Sequence, residues 1–172
     1  DARRYDLAKV GRYKFNKKMD IWTRLSGQEL AEPIADPMTG EILAMPGDFI
    51  TRDMAKAFSA KGVNEATVKV GDQSVKIFAN NMVDMAQFVD FDPAEYGIRE
   101  KVSFRVLKEM LETPDINWKE AIAERYDELI PNHIVVDDIM ASSNYLNCVA
   151  MGIGSADGID HLGNRRLRCV GE

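Results

Sequence analysis

Apolar and polar positions change period along this chain, and the changes mark its elements. Glu29 to Ile34 and Glu41 to Met45 are short alternating runs around Asp36-Pro37-Met38-Thr39-Gly40. Pro presets a turn there and Gly admits positive φ, so a β-hairpin is expected. Thr51 stands where an N-cap belongs for a helix over about residues 52–60 that stops at Gly62. Val63 to Val70 and Gln73 to Ala79 alternate around Gly71-Asp72, which reads as two strands and a tight turn. After Asn80-Asn81 the spacing becomes helical. Pro93 behind Asp92 suits a helix start that Gly97 interrupts, and Val102, Val106, Met110 and Leu111 make one apolar face until Thr113-Pro114. A further helix is expected from Trp118 to Leu129, closed by Pro131. Val136, Ile139, Met140, Ser143, Leu146 and Ala150 recur at helical spacing, predicting a helix over about residues 136–151 that packs through this face and is capped by Gly152.

These elements predict an α+β fold, a small β-hairpin sheet with helices joined to a mainly helical remainder. A chain of 172 residues is long enough for one domain with a real core, or for a small domain carrying an insertion. Charge favours the second arrangement. Residues 1–18 hold seven Lys or Arg against two Asp, whereas residues 19–156 hold 12 basic and 23 acidic side chains. The formal net charge of −6 therefore averages a basic start with an acidic middle and does not argue against a polyanionic partner. Cys148 and Cys169 lie in no metal-ligand spacing and read as reduced thiols, Cys148 as a packing residue. No stretch reaches transmembrane length and no signal-peptide series is visible, so no membrane partner and a cytoplasmic source are expected. Met45, Met54, Met82, Met85, Met110, Met140 and Met151 are scattered, which suggests core filling for most of them. Trp22 and Trp118 read as packing anchors.

The chemistry concentrates near the C-terminal end. Gly158-Ile159-Asp160-His161-Leu162-Gly163-Asn164-Arg165-Arg166-Leu167-Arg168 crowds three guanidinium groups, an acid and a His into one short segment. Arginine forks match phosphate oxygens and base edges, and a fixed Asp can accept from a base amino group or hold an Arg in place. Nucleic acid is the first partner this implies; the plain alternative is a solvated loop whose Arg stems cover apolar surface. A catalytic inventory is thin. Asp160 and His161 are adjacent and point apart in an extended chain, no nucleophile is positioned by sequence, and His133 in a Pro-Asn-His turn reads as a surface residue. No metal ligands are expected, and the segment should bind rather than catalyse.

Asp160 to Arg168, followed by Val170-Gly171-Glu172, resembles the DDIDHLGNRR-x-R-S-V-G-E segment of the bacterial RNA polymerase β-subunit family. Arg4-Tyr5-Asp6-Leu7-Ala8-Lys9-Val10-Gly11-Arg12-Tyr13-Lys14-Phe15-Asn16 resembles the R-Y-D-L-x-x-V-G-R-x-K-x-N motif of the same family. Leu30-Ala31-Glu32 through Asp36-Pro37-Met38-Thr39-Gly40-Glu41-Ile42-Leu43-Ala44 is similar to a run in β subunits of Gram-positive bacteria. The resemblance implies a piece of a larger subunit, and the Asp1 start without an initiator Met fits that expectation. It implies that residues 1–20 and 134–172 belong to the β lobe and that 21–133 are a lineage-restricted insertion. It implies DNA contact by Ile159, Asp160, Arg165, Arg166, Arg12 and Lys14. Asp160 would accept from a flipped-out guanine of the nontemplate strand, Arg165 would brace the pocket and Ile159 would wall it. Expected partners are DNA, the α, β′ and ω subunits, a σ factor, and an unidentified regulator of the insertion. No cofactor is expected within this segment, because the family's catalytic Mg is held by β′; the whole assembly would be a nucleotidyltransferase. Gly158 stands where the family has Asp, and Cys169 where it has Ser, so the loop has one carboxylate fewer and a freer backbone. An alternative reading is an acidic interaction module that docks a regulator without touching DNA; a small hydrolase using Asp160 and His161 is a third.

Overall fold

The computed structural model describes residues 9–155. Helix α1 (Lys9–Lys18) turns Arg12, Phe15 and Asn16 inward, with Met19 just past its end. Asp20 then starts the one-turn helix α2 (Trp22–Leu25): its carboxylate accepts from the Trp22 N–H at 3.3 Å and its carbonyl from the Thr23 hydroxyl at 2.9 Å. This turn aims Leu25 and Arg24 at the interior.

The expected hairpin forms, but its first strand is divided. Glu29–Leu30 (β1) and Ile34–Ala35 (β2) go to different sheets, and β2 pairs antiparallel with Ile42–Ala44 (β3), Ile34 facing Ala44. The division falls at Pro33, which has no N–H to give a ladder. Between β2 and β3, Asp36 organises the turn by accepting from the Met38 N–H at 2.8 Å, and Gly40 supplies the positive φ. Helix α3 (Arg52–Ala60) starts as read, with the Thr51 hydroxyl accepting from the Met54 N–H at 3.3 Å. Strands β4 (Glu65–Val70) and β5 (Gln73–Phe78) then pair in register from Glu65↔Phe78 to Val70↔Gln73. Gly71 takes φ +58° at the first central position of their two-residue turn, as a type II′ hairpin asks.

The main sheet runs β1-β4-β5, and residues 47–50 lie along the outer side of β1 through Leu30 N–H to Asp48 O and Ile50 N–H to Gln28 O. Leu30, Ala66, Val68, Val75 and Ile77 bury against Ala55 and Phe58 of α3 and Ile21 and Leu25 around α2. The same cluster takes in Cys148 and Ile153 from the far end of the described chain. Each fully buried Leu, Ile or Val of this kind is worth about 1.5–3 kcal/mol relative to exposure.

A second cluster takes all its buried members from residues 83–129. Met82–Val83 (β6) pairs with Val102–Ser103 (β7), two 3-10 turns (Met85–Gln87 and Pro93–Tyr96) intervene, and Gly97 ends the second with φ +79°. Helix α4 (Phe104–Glu112) supplies Phe104, Val106, Leu107 and Met110. The helix expected over 118–129 is broken at Arg125 into α5 (Trp118–Glu124) and α6 (Tyr126–Leu129), and the break lets both Ile122 and Leu129 reach the cluster. Trp118 packs at 5.3 Å from Phe91. The two clusters meet at Gly62, where a Cβ would lie 2.9 Å from the Phe104 ring.

Helix α7 (Val136–Ala150) has the expected span and the opposite orientation to the one read from its apolar spacing. Asp138, Ala141, Tyr145 and Cys148 face inward, while Val136, Ile139 and Met140 are 74%, 57% and 52% exposed. The inward stripe was hidden because it opens with a carboxylate and a methyl group, whose burial depends on partners far away in sequence. Ala141 and Tyr145 close a third cluster with Phe15 and Met19, which joins α7 directly to α1. Methionine use is equally mixed: Met85 and Met110 are core residues, whereas Met45, Met140 and Met151 are exposed.

Candidate nucleic-acid interface

Six residues were expected to meet nucleic acid. Ile159, Asp160, Arg165 and Arg166 lie outside the described residues. Lys14 sits exposed on α1, with exposed Lys17 one turn on. Arg12 is different: its side chain is 1% exposed. The guanidinium forks onto Asp138, Nη1 to Oδ1 at 2.8 Å and Nη2 to Oδ2 at 2.9 Å, and Nη2 also donates to the His133 carbonyl at 2.5 Å. In place of the expected DNA contact Arg12 has a structural role here, since its two terminal nitrogens are already engaged and buried.

Asp138 carries more than this pair. Its Oδ1 accepts from Asn80 Nδ2 at 3.3 Å, its Oδ2 from the Val135 N–H at 3.0 Å, and Asn80 Nδ2 also donates to Asn16 at 2.8 Å. One carboxylate thus closes the start of α7, anchors α1, and holds the chain just beyond β5. A buried charge is tolerated only with such saturation of its lone pairs.

A second polar cluster sits two turns along the helix. Asn144 places its amide against the open edge of β5 and pairs with it as a strand would: Nδ2 donates to the Lys76 carbonyl at 2.7 Å and Oδ1 accepts from the Phe78 N–H at 2.8 Å. Arg24 Nη1 donates to the same Oδ1 at 2.9 Å, and Nη2 donates to the carbonyls of Met19 and Phe78 at 3.0 and 2.7 Å. Burial lowers the Arg24 pKa from its ordinary value, opposed by Cys148, Tyr145 and Asp20. Burial likewise raises the Cys148 thiol, with Arg24 pulling the other way. The packing role expected of Cys148 is the one it occupies.

Past α7 the chain is held until the described residues end. Gly152 takes φ +78°, the Ile153 N–H donates to the Cys148 carbonyl at 2.8 Å, and Ile153 is 1% exposed. Gly154 lies against the Arg24 stem, where a Cβ would be 3.1 Å from Cγ, and the Tyr145 hydroxyl donates to the Ser155 carbonyl at 3.0 Å. The Arg-rich segment begins three residues after Ser155 in the sequence and lies outside the described residues. Sequence reasoning missed Arg24, Asn80, Asp138 and Asn144. The available signal was Asn144 inside a helix, where it has no good intrinsic reason to stand; Asp138 occupies the first turn, an ordinary place for an acid, and carried no such signal.

Other chemistry is sparse. A cavity of about 390 Å³ lies between α1 and the second cluster, lined by Tyr13, Lys17, Asp84, Asp92, Arg99 and Lys101, with charges of both signs and no single ligand type marked. Among the described residues no three His, Cys, Asp or Glu side chains gather as a metal site, and no helix is long and apolar enough to cross a membrane. His133 is exposed, as read.

No family model matches the chain. Over its whole length it is 50% identical to the DNA-directed RNA polymerase subunit beta of Acetivibrio thermocellus, 47% to that of Clostridium novyi and 46% to that of Clostridioides difficile. In each case it spans 14% of the relative's length. At this identity over its whole length, the chain is similar to one segment of DNA-directed RNA polymerase β subunits, as a fragment of such a subunit is.

Proposed function

We propose that this chain is the part of the β lobe that meets the nontemplate DNA strand near the downstream edge of the transcription bubble during DNA-dependent RNA synthesis. The observation that carries this reading is the Ile159 to Arg168 motif, in a chain that matches β subunits along its whole length. Asp160 accepts from the Watson–Crick edge of an unstacked guanine, Arg165 braces the pocket, Ile159 walls it, and Arg166 and Lys14 contact the backbone. Extruding a base costs a few kcal/mol, which stacking and hydrogen bonds offset. Arg12 has no part in this reading. The anchored run from Gly152 to Ser155 supports it, because a base pocket needs a rigid base of attachment.

The same proposal assigns nucleotidyl transfer to the whole polymerase, with its metal ion on β′ and with α, β′, ω and σ as partners. It also treats residues 21–133 as an insertion carried by flanks 1–20 and 134–172. The direct contact of α1 with α7 supports that division, since the flanks touch without passing through the insertion. Against it, the first core borrows Cys148 and Ile153 from the second flank.

The test is Asp160→Ala in the intact polymerase, reading open-complex lifetimes on templates that differ only at one nontemplate base. Preference for guanine should fall by about 1–3 kcal/mol while affinity for the other bases holds level. An equal loss for all four bases returns the segment to a braced surface loop. A second reading, docking of a regulator on the insertion, is favoured by Ile42, Met45 and Phe49, which are 52%, 56% and 64% exposed beside acidic Glu41 and Asp48.

A further inference from the structure

Helix α7 presents an apolar face that nothing among the described residues covers. Ile134, just before the helix, is 60% exposed, and Val136, Ile139 and Met140 on its first turns are all more than half exposed. Positions 136, 139, 140 and 143 share one side of a helix, and none carries a charge. The two acids of this stretch are turned away from that side: Asp138 is buried on Arg12, and Asp137 pairs with Arg105 at 2.9 Å. The face is also rigid, because Asp138 and Asn144 fix the helix to α1 and to the edge of β5. A fixed, uncharged, aliphatic surface is what a partner uses and what a solvated helix avoids.

We propose that this face is an intramolecular docking surface for another part of the β-subunit polypeptide, outside these 172 residues. Two considerations choose that occupant over a second copy or a separate protein. The chain spans 14% of the length of its relatives, so most of the subunit is tethered to it and remains to be placed. The patch is also small: four half-exposed aliphatic side chains offer on the order of a few hundred Å², below the ~800 Å² per partner typical of stable associations between free proteins. A tethered segment needs less, since it does not lose the translational and rotational freedom that free association costs. The occupant is apolar and uncharged where it meets Val136 and Ile139, and Met140 adapts to its outline.

The experiment replaces Ile139 with photoreactive benzoylphenylalanine in the full-length β subunit, irradiates the subunit alone and within assembled polymerase, and maps the cross-links by mass spectrometry. Cross-links to β-subunit peptides outside this chain, formed already in the isolated subunit, are the expected result. Cross-links to peptides of this chain, to a second β subunit, or to another polymerase subunit only after assembly overturn the proposal. Should the bulky residue prevent folding, Ile139→Cys serves instead, followed at its own peptide during alkylation of the isolated full-length subunit. The expected alkylation is at least about tenfold slower than in the unfolded subunit and independent of protein concentration, as for a site that reacts only on local opening. Rapid alkylation, or protection that is lost on dilution, overturns it. These outcomes are separate from the Asp160 test, which reads bases and not this face.

Discussion

Asp138 concentrates the residue-scale energetics of this molecule. It meets Arg12, Asn80 and the Val135 N–H inside a region where both charged partners are at most 2% exposed. Removing one member of such a pair leaves the other charge buried and uncompensated, so Asp138→Ala should destabilise the 172-residue chain by about 3–5 kcal/mol, measured by urea unfolding. The paired replacement Arg12→Met with Asp138→Leu should recover most of that loss, because apolar side chains of similar volume replace buried ion pairs at little net cost. A loss below ~1 kcal/mol for Asp138→Ala would mean that the Arg12 guanidinium reaches water, contrary to its burial. The resemblance made Arg12 look like a DNA contact, and an Arg in a basic segment carries no mark of where its partner lies. Its partner is 126 residues away, and no local pattern reports a contact of that range.

At the scale of elements, local rules were reliable wherever the deciding interaction was local. Thr51 caps α3, Gly71 turns the β4–β5 hairpin, and Gly97 and Gly152 end their helical segments with positive φ, each legible from a few adjacent residues. Failures came where a distant element decided: β1 left its hairpin partner for β4, and α7 turned its less apolar stripe inward to satisfy Arg12 and the β5 edge. The residues proposed to contact DNA were legible as a motif alone, and Ile159 to Arg166 lie outside the described residues, so geometry adds nothing to that reading. Two substitutions separate the local and distant terms around α3. Thr51→Ala removes a cap and should cost about 0.5–2 kcal/mol. Gly62→Ala should cost more, because it combines φ +90° with a methyl group 2.9 Å from the Phe104 ring where the two clusters meet. Thermal unfolding of both variants gives the order, and equal midpoints would show that the junction relaxes freely.

At the scale of the described molecule there are two large cores, the first of which takes in residues from the end of α7, while α1 and α7 hold each other through a third, smaller cluster. Excising residues 21–133 across a short Gly-Ser linker should leave the α1–α7 contact in place, since Phe15, Met19, Ala141, Tyr145 and the Arg12–Asp138 pair survive, although that pair loses its Asn80 and His133 partners. It should also strip the cover from Cys148 and Ile153, so sedimentation should reveal association that Cys148→Ser with Ile153→Thr relieves. A monomeric excised chain without those substitutions would show that the first core does not depend on them. The Arg12–Asp138 pair has one more consequence, in time. A ribosome adding about 5–20 residues per second takes roughly 6–25 s to travel from one partner to the other. Before that interval ends the second cluster, whose buried members all lie within residues 83–129, has been synthesised in full, while α1 still waits with an uncompensated guanidinium and an open apolar side. Synthesis from the N-terminus thus makes the first helix of this segment among the last to find its place.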